Sequence, residues 1–301
     1  MCVMEKDKEF WGWIEGIPYE LAFWNNTYRW NTSFDGLMHW SRIGKSIQLG
    51  GFDAPAFLAG FDRPVVLDVG CGMSYAFGDH VETSDGMQPL EMHYIDPLAS
   101  FYNKIKERYH RDMPDIEFGM MENLSITHSN KGAKLIIISN ALDHSSNPMR
   151  GILDALNVLD VGGCLYLNHH PNEAEAEHYK GFHKYNICTN KAHQMVIWNR
   201  EKRIIVDDII APFAMMETKT LENGFVVSVI TKKSALDESV DPQEANKEAY
   251  VHKLMVLLEV SQCLSFTLKM KMKYAWYNTI QFFVQMLPYK YKRRLRNLIY
   301  R

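Results

Sequence analysis

The chain has 301 residues, 47% of them hydrophobic, and a formal net charge of -3; this suffices for a real core, in one large α/β domain with additions or two smaller ones. So neutral a balance gives no general case for nucleic-acid binding. Five scattered cysteines (Cys2, Cys71, Cys164, Cys188, Cys263) form no C-x-x-C pair, which argues against a disulfide framework or a zinc ribbon and fits a reducing cytosol.

The first residues, MCVMEKDKEFWGW, are charged where an export signal is apolar. No stretch reaches about 18 uninterrupted apolar residues, so neither export nor a membrane span is expected. Residues 1–60 are rich in aromatics, notably Trp11, Trp13, Phe23, Trp24, Tyr28, Trp30 and Trp40, and are expected to form a helical lid; Phe23, Trp24, Tyr28 and Trp30 are placed to close over a ligand or pack as core. Residues 61–235 read as an α/β domain. The apolar runs VVLDVG (65–70), EMHYID (91–96), IEFGM (116–120), KLIIIS (134–139) and CLYLNH (164–169) alternate with segments of helical spacing, SFYNKIKERYH and PMRGILDALNVLD among them. Strands separated by helices predict a Rossmann-like, doubly wound, mostly parallel sheet. FAMMETKTLENGFVVSVITKK predicts an antiparallel hairpin around ENG that supplies an antiparallel last strand. Residues 236–301 are expected to open with a polar linker and to continue from Val251 as a basic helical extension.

VVLDVGCG is a strand that ends at Asp68 and runs into a Gly-x-Gly turn at Gly70 and Gly72. Ligands of open parallel sheets sit at such strand ends, where glycine lets the backbone come close. The second strand ends in Asp96, placed for a carboxylate to accept ribose hydroxyls. No third glycine completes G-x-G-x-x-G, because Gly72 is followed by MSYAFG, which weakens a nicotinamide reading. LDVGCG followed by YIDP instead resembles the class I S-adenosylmethionine (SAM)-dependent methyltransferases, from about Pro64 to Lys233. The resemblance implies SAM as cofactor and S-adenosylhomocysteine (SAH) as product. It implies Gly70 and Gly72 near the methionine moiety, Asp96 on the ribose and Pro97 and Leu98 along the adenine. Met121 and Glu122 are held as neighbours of the adenine, and Asn140 at the next strand end as a further cofactor contact. Two departures stand out: FGMMENLS has Met120 where the family often has an acid, and the expected first helix is interrupted at Gly78.

DPLASFYNK, NALDHSSNP and HHPNEAEAEHYKGFHKYN resemble more narrowly the methyltransferases of bacterial capsule and surface-polysaccharide biosynthesis. That match implies an acceptor side made of Asp143, His144, His169, His170, Asn172 and Glu173, with Tyr179, His183 and Asn186 more distant. Seven of the twelve histidines lie between His128 and His193. Methyl transfer to oxygen needs alignment and a base, and imidazole titrates near neutrality. His169 or His170 is the expected base, His144 the next, with Asp143 or Glu173 orienting an imidazole. A divalent metal on Asp143, His144, His170 and Glu173 is the competing reading; the spacing matches no zinc signature, and no metal is assigned. Asn172 and Glu175 read as a capping box, with Glu175, Glu177 and His178 on a solvated helix face.

The tail carries Lys290, Lys292, Arg293, Arg294, Arg296 and Arg301 among apolar residues. It suits peripheral contact with the inner face of a membrane, or a helix packed on the domain or on a dimer partner. The whole predicts a cytoplasmic O-methyltransferase acting on a sugar hydroxyl, or a sugar-linked phosphate-type group, of a nucleotide- or lipid-linked glycan precursor, with no nucleic-acid partner. A non-catalytic glycan-binding partner, or a small-molecule N- or C-methyltransferase, are the alternatives.

Overall fold

A computed structural model describes residues 13–29, 41–84, 86–129, 132–179, 181–236 and 268–287, together with His252, Met255 and Tyr291. Cys2, Trp11, Trp30, Trp40, Cys263, most of the polar linker and the basic residues between Lys290 and Arg301 lie outside the described residues.

The strands in chain order are β1 (Val65–Val69), β2 (His80–Thr83), β3 (Gly86–Pro89), β4 (Glu91–Asp96), β5 (Glu117–Phe118), β6 (Ala133–Ser139), β7 (Leu159–His169), β8 (Asn186–Thr189), β9 (Met195–Trp198), β10 (Arg203–Ile205), β11 (Ala214–Thr220) and β12 (Val226–Lys232). Seven of them form the principal sheet, in the order β11-β12-β7-β6-β1-β4-β5. The pairings from β5 through β7 are parallel, and β12 runs antiparallel to both β7 and β11. Strand order reverses on either side of β1, which is the doubly wound arrangement the alternation predicts. The expected hairpin is β11 and β12, and its second strand is the antiparallel one.

The helices are α1 (Ile17–Arg29), α2 (Ala54–Leu58), α3 (Ala99–Arg108), α4 (Leu124–His128), α5 (Pro148–Val158), α6 (Glu173–Ala176), α7 (Val206–Ile210) and α8 (Leu268–Gln285). Helix α5 starts where its sequence dictates: Asn147 Oδ1 accepts the Arg150 amide at 3.2 Å and Pro148 opens the first turn. Period-two alternation sorts the strand side chains between two faces. Leu67, Ile136, Ile138, Leu165 and Leu167 join a core with α5, β8 and β9. Val66, Leu135, Ile137 and Tyr166 face Ile47, Leu49, Ala54 and Leu58.

Three expectations change. No helix follows the glycine turn: residues 70–79 form a loop, and the β2–β3 ribbon links it to β4. Residues 47–58, which precede β1, cover this sheet face instead. IEFGM yields a strand of only two residues at the sheet edge. Residues 186–205 form a second, three-stranded antiparallel sheet with the order β10-β9-β8.

Helix α1 packs between the principal domain and α8. Asn25 and Asn26 each donate through Nδ2 to Asn278 Oδ1 at 2.9 Å, and Glu15 pairs with Lys273 at 3.0 Å. Among the described residues no helix is long and apolar enough to cross a membrane.

Candidate functional site

The glycine turn lies at the C-terminal end of β1, where Gly70 has φ 69° and Gly72 φ 55°. Both positions lack room as well as conformational freedom for a side chain. An ideal Cβ on Gly70 falls 2.4 Å from Ala141 Cβ, and one on Gly72 falls 2.5 Å from Trp24 Cζ2. The turn is therefore held between the loop after β6 and the lid helix α1. Tyr28 of α1 donates its hydroxyl hydrogen to Met73 O at 2.7 Å. Trp24 and Tyr28 of α1 thus both contact the glycine turn.

Asp96 ends β4 and ties the turn from the other side. Its Oδ2 accepts the Gly72 amide at 3.1 Å and its Oδ1 accepts the Leu98 amide at 2.8 Å. The carboxyls of Asp68 and Asp96 are both buried, and burial pushes each up to about 7. The Asp96 charge adds to the effect on Asp68, while the two amide bonds oppose it on Asp96. Asp68 Oδ2 has no hydrogen-bond partner among the described residues. Two buried carboxyls beside glycine amides make a site that a cationic, hydroxyl-bearing ligand would complete.

Met121 packs against Gly151 and the Gly70 turn, with its Cγ 2.8 Å from an ideal Cβ on Gly151. Glu122 is otherwise engaged: its Oε1 accepts the Ser146 amide at 2.7 Å, the Ser146 hydroxyl at 2.8 Å and the Asn147 amide at 3.2 Å. It holds the loop before α5 in place. Asn140, at φ 47°, joins two strand ends: its amide donates to Asn168 O at 2.9 Å and its Oδ1 accepts the His170 amide at 2.9 Å. Pro97 and Leu98 lie just beyond Asp96, with Leu98 buried.

Past Ala141 the chain makes a short turn carrying Asp143 and His144. Here the structure brings in His183, which the sequence reading sets apart as more distant. His183 Nδ1 lies 2.8 Å from Asp143 Oδ2 and 3.1 Å from His144 Nε2. His144 Nε2 lies 3.5 Å from Asp143 Oδ2. Burial favours the neutral form of both imidazoles and takes His144 down to about 4; at His183 burial is again the largest single influence, but the bond to Asp143 and the charges of Asp143, Glu173 and Glu177 together exceed it and raise that ring. Burial alone would raise the Asp143 carboxyl, but its histidine neighbours hold it below the usual range. Glu173 and Glu177 also act on His183 electrostatically, so Glu177 is not merely a solvated residue.

His169 and His170 part company at the end of β7. His169 shares the inner face of Leu165 and Leu167, is buried, and has neither ring nitrogen hydrogen-bonded among the described residues; burial lowers it to about 4. His170 is exposed and its ring rests on Phe225 at 4.0 Å between centroids. The capping box is corrected. Asn172 adopts φ 52°, which turns its side chain away from the helix and toward Trp198 Nε1 at 3.3 Å. Asn186 Oδ1 instead accepts the Glu175 amide at 2.9 Å, and Asn186 Nδ2 donates to Tyr179 Oη at 2.9 Å.

Sequence reasoning also missed Glu20. It accepts the Trp24 indole hydrogen at 2.7 Å, burial raises its carboxyl, and it interacts with Asp143, His183 and Asp96. Glu20 thus stands between the glycine turn and the histidine cluster. Its signal was an acid one turn before a tryptophan in an otherwise aromatic, apolar helix.

No family model matches the chain, and no curated protein matches it. Among solved structures, the chain resembles a 16S rRNA methyltransferase of T. thermophilus in complex with AdoMet and guanosine, at 9% identity and a TM-score of 0.33, over 64% of this chain and 42% of that one. The chain thus spans less than half the length of that neighbour. A SAM-dependent methyltransferase of Clostridium acetobutylicum is similar at 11% identity and a TM-score of 0.36, over 60% and 91% of the two chains. The DhpI–SAH complex is similar at 14% identity and a TM-score of 0.39, over 74% and 98%.

Proposed function

We propose that the chain is a SAM-dependent O-methyltransferase whose acceptor is a sugar hydroxyl of a surface-glycan precursor. One observation carries the reading: Asp68, Asp96 and the Gly70–Gly72 turn lie at the strand ends beside a cluster of histidines, with Glu20 interacting with both. The remaining lone pairs of Asp96 suit ribose hydroxyls, and the partnerless oxygen of Asp68 suits the methionine ammonium. The cofactor supplies an activated methyl group.

The chain's own residues then have to place the acceptor and take its proton. The Asp143–His144–His183 cluster polarises the hydroxyl. Of the two adjacent histidines, His170 is the better base, because its ring reaches solvent and burial keeps it neutral below the ordinary imidazole value. His169 is sealed in the core. With SAM held by the glycine turn and the two carboxylates, its sulfonium would supply the methyl group and retain the electron pair of the broken carbon–sulfur bond, and His170 would take the acceptor hydroxyl's proton and pass it to water. The glycan class rests on the resemblance of the histidine-bearing segments. A lipid-linked acceptor would be met at an anionic bilayer; α8 suits this, exposing Leu268, Met272, Trp276 and Phe283 along one stripe beside Lys269, Lys271 and Lys273.

Incubation with methyl-labelled SAM and fractionated glycan precursors tests the reading. Label in a base-stable sugar ether is the expected result. Label on nitrogen or carbon instead, or SAM binding with no label in any fraction, would favour the alternatives above.

A further inference from the structure

We infer that Asp143, His144 and His183 form a binding site for a divalent transition-metal or zinc ion. Three ligand atoms, Asp143 Oδ2, His144 Nε2 and His183 Nδ1, stand 2.8, 3.1 and 3.5 Å from one another. The two rings meet edge to face, with 77° between planes and 4.4 Å between centroids.

Proton accounting explains why a cation belongs there. His183 Nδ1 carries either one hydrogen or one lone pair. If it donates to Asp143, it offers nothing to accept a hydrogen from His144. If it accepts from His144, it faces a carboxylate oxygen with no hydrogen between them. One shared hydrogen cannot align with both partners, because they are themselves 3.5 Å apart. A metal ion accepts all three lone pairs at once. Ligands held at about 2.0–2.1 Å from one ion lie roughly 3 Å apart, so the side chains need little movement to receive it.

An independent observation points the same way. His169 is 1% exposed, and neither of its ring nitrogens has a hydrogen-bond partner among the described residues. It is close enough to interact electrostatically with Asp143 and His144. Asp143 Oδ1, also buried, has no partner among the described residues either. Polar atoms buried without a partner destabilise the fold unless something in the site satisfies them. An ion, with a water in an open position, would give Asp143 Oδ1 one and would lie in the field of the neutral His169 ring.

Two imidazoles and one carboxylate with open positions suit Fe²⁺, Mn²⁺, Co²⁺ or Zn²⁺ better than Mg²⁺, which prefers oxygen ligands. The combination of His183 with Asp143 and His144 differs from the His170 and Glu173 set read from the sequence. If the methyltransferase reading above holds, an open position takes the acceptor hydroxyl and lowers its pKa as a metal lowers that of bound water.

The test uses the full chain stripped with chelator and titrated with Co²⁺ or Zn²⁺ alone. One equivalent should bind at micromolar affinity or better, and Co²⁺ should develop visible d–d absorption. Asp143→Asn and His183→Gln should each weaken binding by about 100-fold, with circular dichroism showing that they fold, while His178→Gln, a surface change, binds as the parent does. Binding no tighter in the parent than in His183→Gln would overturn the site. SAM titrated into the same stripped protein separates the two readings: SAM binding without metal binding removes only the metal site, and metal binding without SAM binding removes only the methyltransferase.

Discussion

Trp24 occupies the space that a side chain at position 72 would need, its Cζ2 lying 2.5 Å from an ideal Cβ on Gly72. The lid helix and the glycine turn are thus fitted to each other. Gly72→Ala forces Trp24 aside and also strains a backbone at φ 55°. The expected result is at least tenfold weaker SAM binding and altered tryptophan fluorescence. Gly44→Ala is the control: its φ is 72° and nothing lies within 4 Å of its Cβ, so it carries only the left-handed cost of about 1–2 kcal/mol and leaves SAM binding intact.

Asn186, fully buried, loses two hydrogen bonds on replacement by Ala, one to the Glu175 amide and one to Tyr179. A loss of about 1–3 kcal/mol is expected, read as a lower denaturant midpoint. Asn172→Gly keeps the left-handed backbone, removes no cap and gives up only the part-buried bond from the Trp198 indole, so it should cost about 0.5–1 kcal/mol, less than Asn186→Ala. The reverse ranking would restore the capping box.

These cases show where the sequence was legible. The central strands were, because KLIIIS and CLYLNH are apolar runs with nowhere to go but a core, and Asp68 and Asp96 end two of them. The sheet of residues 186–205 was not: NICT, MVIW and RII are short and separated by polar turns, so no period emerges. The loop and ribbon after the glycine turn also escaped, since the face a helix would cover is closed by residues 47–58, from the other side of β1 in the chain. His183 could not be paired with Asp143 from spacing alone, because β7 and the α6 turn intervene. Asn172 misled because asparagine both caps helices and tolerates positive φ.

His170→Gln should lower kcat by about 10²–10⁴-fold and leave SAM affinity unchanged. His169→Gln should act mainly on stability, because its ring is sealed. The pH profile adds a check: burial lowers His170 below the ordinary 6.5, so activity should fall on the acid side, through a limb lying below that value, as the base becomes protonated. An acid limb that survives unchanged in His170→Gln would assign the base elsewhere.

The apolar stripe of α8 should hold the protein to anionic vesicles and only weakly to neutral ones. No acidic residue occurs between Leu268 and Arg301, so salt should release it. Trp276→Ser with Phe283→Ser should reduce co-sedimentation at least fivefold without changing SAM binding. Equal sedimentation, or a dimer that dissolves in the double variant, would assign the stripe to protein contact.

On the proposed function, the carboxylates of Asp68 and Asp96 and the glycine turn hold SAM. Both Asp68 and Asp96 sit near 7 in the free protein because burial opposes their charge. Their folded-state values exceed the ordinary 3.8, so stability from their protonated forms is present at low pH and is lost as pH rises toward 7. A cationic ligand reverses that balance by favouring the ionised pair. Titration calorimetry with SAM at pH 8 and pH 6 tests this most directly. The account predicts one site per chain, binding about tenfold or more tighter at pH 8, with proton release at pH 6 and most of the pH dependence gone in Asp68→Asn. No binding of SAM or SAH at either pH, or an affinity untouched by Asp96→Ala in a folded protein, would contradict it.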